Sequence, residues 1–342
     1  RQPGLVEHEI DEAWLERMEE YFRRRSRVMP PNNRKQAILP ATAERLDNPV
    51  GTACGFALDI GKARFFFTPG VPREMRRMVE EQVVPRLLAR SGLQTVIHLK
   101  RFHSYGLGES HVDTLLAGIE ALAPGGGVKL GFRAHYPQLE TKLAVRGASR
   151  EDVALKLEPV TAELRRRLGN FIIAEDDQTL EGVVLAALSA RGWPMAVVET
   201  FTGGQIAARL AALPGSEQVL RRAVVSCDMA QIGAALGHAG GWPSESGDGP
   251  LAKAVAQAAR RAAGAAIGLA VLVDVDEGED RLELGGTITL GIATAEEATS
   301  RRARLLGGRD WLRLGAVEMA LDALRRRLQG LPLDERTDFE KV

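Results

Sequence analysis

Three segments near the start of the chain have the residue types of an anion-binding site. They are residues 32–36 (Asn-Asn-Arg-Lys-Gln), 51–55 (Gly-Thr-Ala-Cys-Gly) and 68–75 (Thr-Pro-Gly-Val-Pro-Arg-Glu-Met). Glycine-rich turns let backbone N–H groups approach an anion, and a helix N-terminus adds the positive end of its dipole. Such turns at strand ends are where α/β sheets bind ligands. The alternative is ordinary turn chemistry, because Gly and Pro occur in the turns of every fold.

A second candidate is Thr202-Gly203-Gly204, which follows a predicted strand at 195–198 and precedes a helix. The N-terminus of that helix would suit a phosphate of a bound nucleotide. Alternatively, Thr202 is simply its N-cap, because threonine oxygens accept hydrogen bonds from first-turn amides. The sequence leaves both interpretations open.

The histidines and cysteines do not have the spacing of a metal site. His103 and His111 are a possible pair, but no cluster of cysteine, histidine and carboxylate with zinc spacing accompanies them. Two cysteines, Cys54 and Cys227, cannot build a disulfide framework or a four-cysteine zinc site. We therefore predict no metal site.

Composition excludes several classes of protein. A chain of 342 residues is long enough for two or three domains. No apolar run approaches the ~20 residues that span a bilayer, so no membrane partner is expected. The 45 basic and 45 acidic side chains cancel, which argues against a nucleic-acid coat. The eight lysines leave a lysine-free window over residues 157–252.

Hydrophobic periodicity predicts the elements of the first part of the chain. An amphipathic helix is expected over 11–25, and the apolar run 64–67 is expected to be a buried strand. A helix should follow Pro72, and Pro85 should end or kink it.

The second part, from about residue 94, has the order β-α-β-β-α-β. Ser110 is the predicted N-cap of its first helix, and Ser149 with Asp152 resembles a capping box before the second. Pro159 should interrupt that second helix.

Strands and helices alternate from residue 178 onward, which suggests a three-layer α/β domain. The charged tail 334–342 is expected to fray.

Four motifs in order resemble the CinA (competence/damage-inducible) family, in its proteobacterial CinA-like branch. The first three are similar to its N-terminal, molybdopterin-biosynthesis-like domain, with Cys54 replacing a proline, and the fourth opens its middle domain. The motifs are Val28-Met-Pro-Pro-Asn-Asn-Arg-Lys-Gln-Ala-Ile-Leu-Pro40, Asn48-Pro-Val-Gly-Thr-Ala-Cys-Gly-Phe56, Phe67-Thr-Pro-Gly-Val-Pro-Arg-Glu-Met75 and Tyr105-Gly-Leu-Gly-Glu-Ser110.

The resemblance implies an α/β fold of three parts. These are a truncated molybdopterin-binding-like three-layer domain (1–93), a small KH-like α+β middle module (94–176) and a C-terminal α/β/α CinA domain (177–330), followed by the tail 331–342. The middle module lacks the Gly-x-x-Gly loop that clamps nucleic acid, so no nucleic-acid partner is expected.

The family also implies two activities in pyridine-nucleotide salvage. Its N-terminal domain is associated with metal-dependent hydrolysis of the ADP-ribose pyrophosphate. Its C-terminal domain deamidates nicotinamide mononucleotide.

The first of these sites departs from the family pattern. The family's opening strand and Asp-containing loop do not occur, and Arg1 aligns just after them, so we expect a fragment that lacks roughly half of this domain. A divalent metal would then bind only if the missing loop were supplied. The remaining residues that resemble the family's phosphate site are Asn33, Lys35, Gly51, Thr52, Gly55, Gly70 and Glu74.

The second site departs as well. Active members have Glu-Ser-Cys-Thr-Gly-Gly, where this chain has Glu199-Thr-Phe-Thr-Gly-Gly204. Thr200 keeps a hydroxyl, but Gln231 stands where the family has its lysine base, and an amide cannot take the proton. Rescue by Lys253 or Asp228 is a minor alternative.

These features favour a cytoplasmic, homodimeric CinA-like protein that binds a nucleotide of the ADP-ribose or nicotinamide mononucleotide class. Its deamidase-like domain is expected to be inactive, and any hydrolysis would be of the ADP-ribose pyrophosphatase type in the N-terminal domain. The alternatives are an active amidohydrolase that uses Thr200, and a purely regulatory or structural dimer.

Overall fold

The structure is a computed structural model that describes residues 7–92, 95–238, 240–243, 248–278 and 281–341. Its mixed α/β class agrees with the sequence prediction. Contacts divide the chain into two compact units, 1–94 and 95–342. The finer predicted division, at 93/94, 176/177 and 330/331, stays a prediction. No helix in the described ranges is long and apolar enough to cross a membrane.

The first unit combines short helices with antiparallel strand pairs. Trp14, Leu15 and Met18 form the buried stripe of its first helix, as their spacing predicts, and Asp11 caps that helix by accepting from the Trp14 amide at 2.9 Å. Its elements are β1 His8–Ile10, α1 Glu12–Arg23, a 3-10 helix Pro31–Ala37, β2 Ile38–Pro40, β3 Glu44–Leu46, β4 Gly55–Ile60, β5 Ala63–Phe67, α2 Pro72–Met78, a π-helical turn Val79–Val83 and α3 Val84–Ser91.

Two predictions for this unit need correction. Strand β5 exists, but it is not buried, because Phe65 and Phe67 are 43% and 42% exposed. Ala63, Phe65 and Phe67 share one face of the β3-β4-β5 sheet, and all three are exposed, so that face is not covered. For Pro85 an end or a kink of the helix was predicted, and the predicted end is wrong. The chain instead widens into a π-helical turn just before Pro85, and helix α3 continues to Ser91.

The second unit begins with the predicted β-α-β-β-α-β module. Its sheet has the order β7-β8-β6-β9, and the inner face packs Phe102, Leu143 and Val145 against Val160 and Leu164 of the long helix. Alternate strand residues lie on the outer face. The elements are β6 Val96–Tyr105, α4 Glu109–Leu115, a 3-10 helix Ile119–Leu122, β7 Val128–His135, β8 Gln138–Gly147, α5 Arg150–Leu168, a 3-10 helix Gly169–Phe171 and β9 Ile172–Glu175.

Ser149 caps α5 as predicted, accepting from the Asp152 amide at 3.2 Å. Pro159, however, does not interrupt α5, because the buried residues on either side of it keep the helix packed on the sheet. Ser110 is not an N-cap. Helix α4 begins one residue earlier, after Gly108.

The remaining elements form three layers around a mixed sheet. Strand β10 lies between the parallel strands β11 and β12, and β13, β14 and β15 continue the sheet antiparallel. The elements are α6 Leu180–Ala190, β10 Met195–Glu199, α7 Gln205–Ala211, α8 Ser216–Val219, β11 Leu220–Val225, α9 Met229–Ala235, α10 Asp248–Ala262, β12 Ile267–Val275, β13 Gly285–Ala293, β14 Ala298–Leu306, α11 Gly308–Gln329 and β15 Glu340–Lys341.

The side chains of β10 alternate between two cores, which is what a sheet covered on both faces requires. Met195 and Val197 join the core that includes α6 and α11, whereas Ala196 and Val198 join the core that includes α9 and α10.

The tail is not frayed over its described residues, 331–341. Strand β15 pairs with β14, and Glu340 forms an ion pair with buried Arg301. Glu335 likewise pairs with buried Arg326. The charged composition of the tail predicted that it is solvated. Its Glu335 and Glu340 side chains instead pair with arginines that are buried in the fold. The Asp338 amide also donates to the Gly106 carbonyl oxygen at 2.8 Å, so the tail reaches the middle module.

Candidate functional site

A cavity of about 360 Å³ opens at the carboxyl ends of the parallel strands β10 and β12. This edge of an α/β sheet is where ligands bind in open α/β folds. Strand β13 and the start of α11 complete its walls. The lining residues are Thr200, Phe201, Cys227, Met229, Leu251, Leu272, Val273, Asp274, Val275, Thr287, Thr289 and Arg309.

Thr200, the predicted nucleophile, lies in this cavity but its hydroxyl is engaged by strand β12. Its Oγ1 donates to the Val271 carbonyl oxygen at 3.2 Å and accepts from the Val273 amide at 3.0 Å. The Thr200 amide also donates to Val271 at 3.1 Å. The side chain therefore extends the backbone pairing of β10 and β12 beyond Glu199.

The segment after β11 lies next to Thr200. Cys227 is exposed, and its thiol donates to the Thr200 carbonyl oxygen with 3.0 Å between Sγ and O. Gln231 is an exposed residue of α9 and does not line the cavity.

Neither alternative base lines the cavity within the described part of the chain. Asp228 accepts from the Ala230 amide at 2.8 Å and caps α9. Lys253 lies on α10. The cavity's charged side chains are instead Asp274, at the end of β12, and Arg309, at the start of α11.

Sequence reasoning did not single out these two charges. Arg309 places its guanidinium 5.2 Å from the ring centre of Phe201, within reach of a cation–π contact. Asp274 faces Thr287 across the β12–β13 ladder. A polar residue at the end of an apolar strand was the available signal for Asp274, whereas Arg309 is brought to the site only by the tertiary fold.

Thr202, Gly203 and Gly204 form the turn before α7, but Thr202 is not the N-cap. That position belongs to Gly204, which has a φ of 82°. Glu199, fully buried, accepts from the amides of Ile206 at 3.2 Å and Ala207 at 3.0 Å, and from the Thr202 hydroxyl at 2.5 Å. This carboxylate occupies first-turn donors of α7 that an anionic ligand would need.

In the first unit, buried Asn48 joins two segments of the predicted phosphate site, 51–55 and 68–75. Its Nδ2 donates to Glu74 Oε2 at 2.7 Å and to the Ala53 carbonyl oxygen at 2.8 Å. Its Oδ1 accepts from the Gly51 amide at 3.0 Å. The neighbouring Thr52 donates its hydroxyl to Gln36 Oε1 at 3.0 Å. Gly51 and Glu74 are thus joined through Asn48, whereas Thr52 is joined to Gln36.

Among the described residues, no side-chain hydrogen bond joins the other predicted residues to Gly51, Thr52 or Glu74. Gly55 lies on β4, where an added Cβ would be 2.5 Å from the Phe67 carbonyl oxygen, so its glycine is needed for packing. Gly70 lies in an exposed turn with open space around it. Asn33 and Lys35 lie in the 3-10 helix Pro31–Ala37.

A cavity of about 720 Å³ lies between α1 and the loop 48–52. Arg17, Arg24 and Arg25 border it together with Gly51 and Thr52. The lining does not fit a divalent metal, because three arginines border the cavity and Glu20 is the one carboxylate among its described residues. Within the described ranges, no three His, Cys, Asp or Glu side chains are placed to hold one ion.

Family models match most of the second unit. The model described as "Damage-inducible protein CinA KH domain" matches residues 99–174, and the model described as "CinA C-terminal domain" matches residues 177–328. The KH match agrees with the predicted KH-like module.

Curated relatives match almost the whole chain. A CinA-like protein of Geotalea uraniireducens is 33% identical over 98% of this chain and 80% of its own length. A CinA-like protein of Shewanella amazonensis is 35% identical over 93% of this chain and 74% of its own length. A solved CinA-superfamily protein of Enterobacter cloacae is 19% identical, covers 45% of this chain and 95% of its own, and has a TM-score of 0.39. From its relatives and its two domain matches, the chain belongs to the CinA family.

Proposed function

We propose that this chain binds a pyridine nucleotide of the nicotinamide mononucleotide class at the β10–β12 crevice and does not hydrolyse its amide. The observation that carries the proposal is the state of Thr200. Its hydroxyl lies in the cavity, but it already donates to the Val271 carbonyl oxygen and accepts from the Val273 amide. The homodimer and the absence of nucleic-acid and membrane partners stay predictions.

The lining of the cavity supports nucleotide binding. Phe201 and Leu272 offer apolar surface to a flat ring, and Arg309 offers a guanidinium to a phosphate. The Thr287 and Thr289 hydroxyls suit ribose oxygens. A volume of about 360 Å³ is within the range of small-ligand sites.

Two features argue against turnover. A hydroxyl nucleophile needs an adjacent base to take its proton. Here the hydroxyl's proton points to a backbone carbonyl, and the position of the family's lysine holds Gln231, outside the cavity lining. Asp274 is the one carboxylate among the described lining residues, so it is the base that an active enzyme would have to use.

Thermal unfolding of the chain with nicotinamide mononucleotide tests binding. The melting temperature should rise with ligand concentration, because a ligand that binds only the folded state stabilises it. Arg309→Gln should weaken that rise. Arg313→Gln is the matched control, since it makes the same change on the same helix outside the cavity lining.

Equal shifts in both variants would place the ligand elsewhere, and no shift at millimolar nucleotide would refute binding. Release of ammonium that Thr200→Val or Asp274→Asn abolishes would establish the competing function, an active amidohydrolase.

The arginine-bordered cavity of the first unit supports a second candidate, binding of an ADP-ribose-class pyrophosphate. Arg25 packs its guanidinium 3.6 Å from the ring centre of Tyr21, which fixes a cation beside the Gly51–Thr52 loop. Arg25→Gln should reduce an ADP-ribose-induced thermal shift, whereas Arg23→Gln, two residues earlier at the end of α1 and outside the lining, should not. Release of AMP and ribose 5-phosphate with Mg²⁺ or Mn²⁺ would show hydrolysis of the pyrophosphate bond, and no shift would refute the site.

A further inference from the structure

A second cavity of the larger unit, of about 330 Å³, lies between the middle module and the three-layer domain. The module contributes the end of β6 and the β7–β8 turn, and the domain contributes the starts of α6 and α7 and one face of α11. Cavities of this size between domains are common ligand sites. We call it the interdomain cavity.

Its floor is a buried ion network of unequal charge. Arg209 donates to Glu318 Oε2 at 2.8 Å and to Glu181 Oε2 at 2.6 Å, so one guanidinium serves two carboxylates. The side chains of Glu318, Glu181 and Arg209 are only 2%, 17% and 28% exposed. Gln138 also donates to Glu318. With both carboxylates ionised, this floor carries one negative charge that Arg209 does not balance.

The surroundings make that charge costly. Burial raises the pKa of Glu318, and Arg209 and the hydrogen bond from Gln138 oppose the rise. The other titratable groups that line the cavity are His103, His135 and Tyr136. His103 lies 2.9 Å, at Nε2, from the Asp176 carbonyl oxygen, and Tyr136 donates to the Trp311 carbonyl oxygen at 3.2 Å.

Hydrogen-bond acceptors remain open in the cavity. Among the described residues, Glu181 Oε1 and Gln138 Oε1 have no hydrogen-bond donor. The Tyr136 ring, Leu314 and Val317 provide apolar wall. A ligand that matches these features brings positive charge, N–H donors and a short apolar body.

We propose that the interdomain cavity binds a small organic cation that carries a primary ammonium or guanidinium group. The cation donates to Glu181 and Gln138, and its methylene chain lies along the apolar wall. A bare metal ion fits less well, because no three metal-binding side chains of the described chain converge on one point.

Isothermal titration calorimetry on the full chain, at constant ionic strength, tests the proposal with putrescine and agmatine as probes. The control ligand is 1,4-butanediol, which has the chain length of putrescine but no charge. Both cations should bind and 1,4-butanediol should not. Glu181→Gln should weaken binding about tenfold or more, since it removes a charge-assisted hydrogen bond.

Glu158→Gln is the matched control variant. It makes the same change on α5, on the other face of the module's sheet, and should leave the affinity unchanged. If Glu181→Gln fails to fold, Gln178→Lys replaces it, because Gln178 is an exposed lining residue. Its added cation should compete with the probes and lower their affinity.

The proposal is overturned if neither cation binds, or if 1,4-butanediol binds equally well. It is also overturned if folded Glu181→Gln or Gln178→Lys binds the cations as tightly as Glu158→Gln does, because binding would then lie elsewhere.

Discussion

The Thr200 hydroxyl accepts a hydrogen bond from the Val273 amide, with 3.0 Å between Oγ1 and N. The same oxygen donates to Val271 at 3.2 Å. The side chain at the family's nucleophile position thus adds two hydrogen bonds between the end of β10 and strand β12. Thr200 can act as a nucleophile only when its hydroxyl breaks these hydrogen bonds to strand β12.

Thr200→Val should destabilise the chain by about 1–3 kcal/mol, because it removes one hydrogen bond outright and leaves the Val273 amide without its acceptor. Urea unfolding measures the change. Thr114→Val is the control: its hydroxyl donates only to the Ser110 carbonyl oxygen on an exposed helix, so its effect should stay within about 0.5 kcal/mol. Equal losses of unfolding free energy in both variants would contradict a stabilising role for the hydrogen bonds between Thr200 and β12.

Glu199→Ala should cost about 3 kcal/mol or more, because it strips the buried acceptor from Thr202, Ile206 and Ala207 together. Glu199→Gln keeps one acceptor oxygen and should cost less. Hydrogen exchange of the Ile206 and Ala207 amides gives a local readout: both should exchange faster in Glu199→Ala. Unchanged exchange would contradict a capping role.

Gly55 and Gly70 were both predicted to bind ligand, and alanine substitution should separate them. Gly55→Ala brings a Cβ to 2.5 Å from the Phe67 carbonyl oxygen and 2.7 Å from Met78 Cε, so we expect a loss of about 1–3 kcal/mol. Gly70→Ala meets no atom within 4 Å and should be nearly neutral. Chemical denaturation of the two variants decides, and equal losses would contradict the packing argument.

The two cysteines should differ in reactivity. Burial and the negative charge of Asp11 raise the pKa of the Cys54 thiol from 9.0 to about 11, whereas Cys227 is exposed. With Cys227→Ser, alkylation of Cys54 at pH 8 should be slow and should rise with pH toward a midpoint near 11. Since the folded pKa is raised, folding stability from this group is present below about pH 9 and is lost as pH rises through about 11. Fast alkylation of Cys54 at pH 8 would contradict its burial.

Periodicity predicted most elements well. The stripe of Trp14, Leu15 and Met18 located α1, and alternation located the strands around residues 128–145, because each pattern reports one buried face. The order of strands and helices also predicted the three layers around β10.

Hydrophobic periodicity could not predict hydrogen bonds between side chains and residues that are distant in sequence. The carboxylate of Asp338 accepts from the Gly108 amide at 2.8 Å and contacts His111, so the start of α4 depends on the tail rather than on Ser110. Glu199, buried before the turn, takes the capping role that was one of the two interpretations for Thr202. Local sequence preferences for helix caps cannot predict a capping carboxylate that the tertiary fold brings to the helix start.

The candidate crevice was only half predictable for the same reason. Thr200 and Phe201 follow from the motif, but Arg309 and Thr289 reach the cavity through a helix and a strand about 90–110 residues further along the chain. The pairing of β12 with β13 and the packing of α11 bring these residues into one wall.

The most direct test of the central claim is ammonium released from nicotinamide mononucleotide, measured in the sample whose melting temperature the nucleotide raises. The account predicts a clear thermal shift with no ammonium above the protein-free control. Turnover that disappears in Thr200→Val would contradict it and establish a working deamidase.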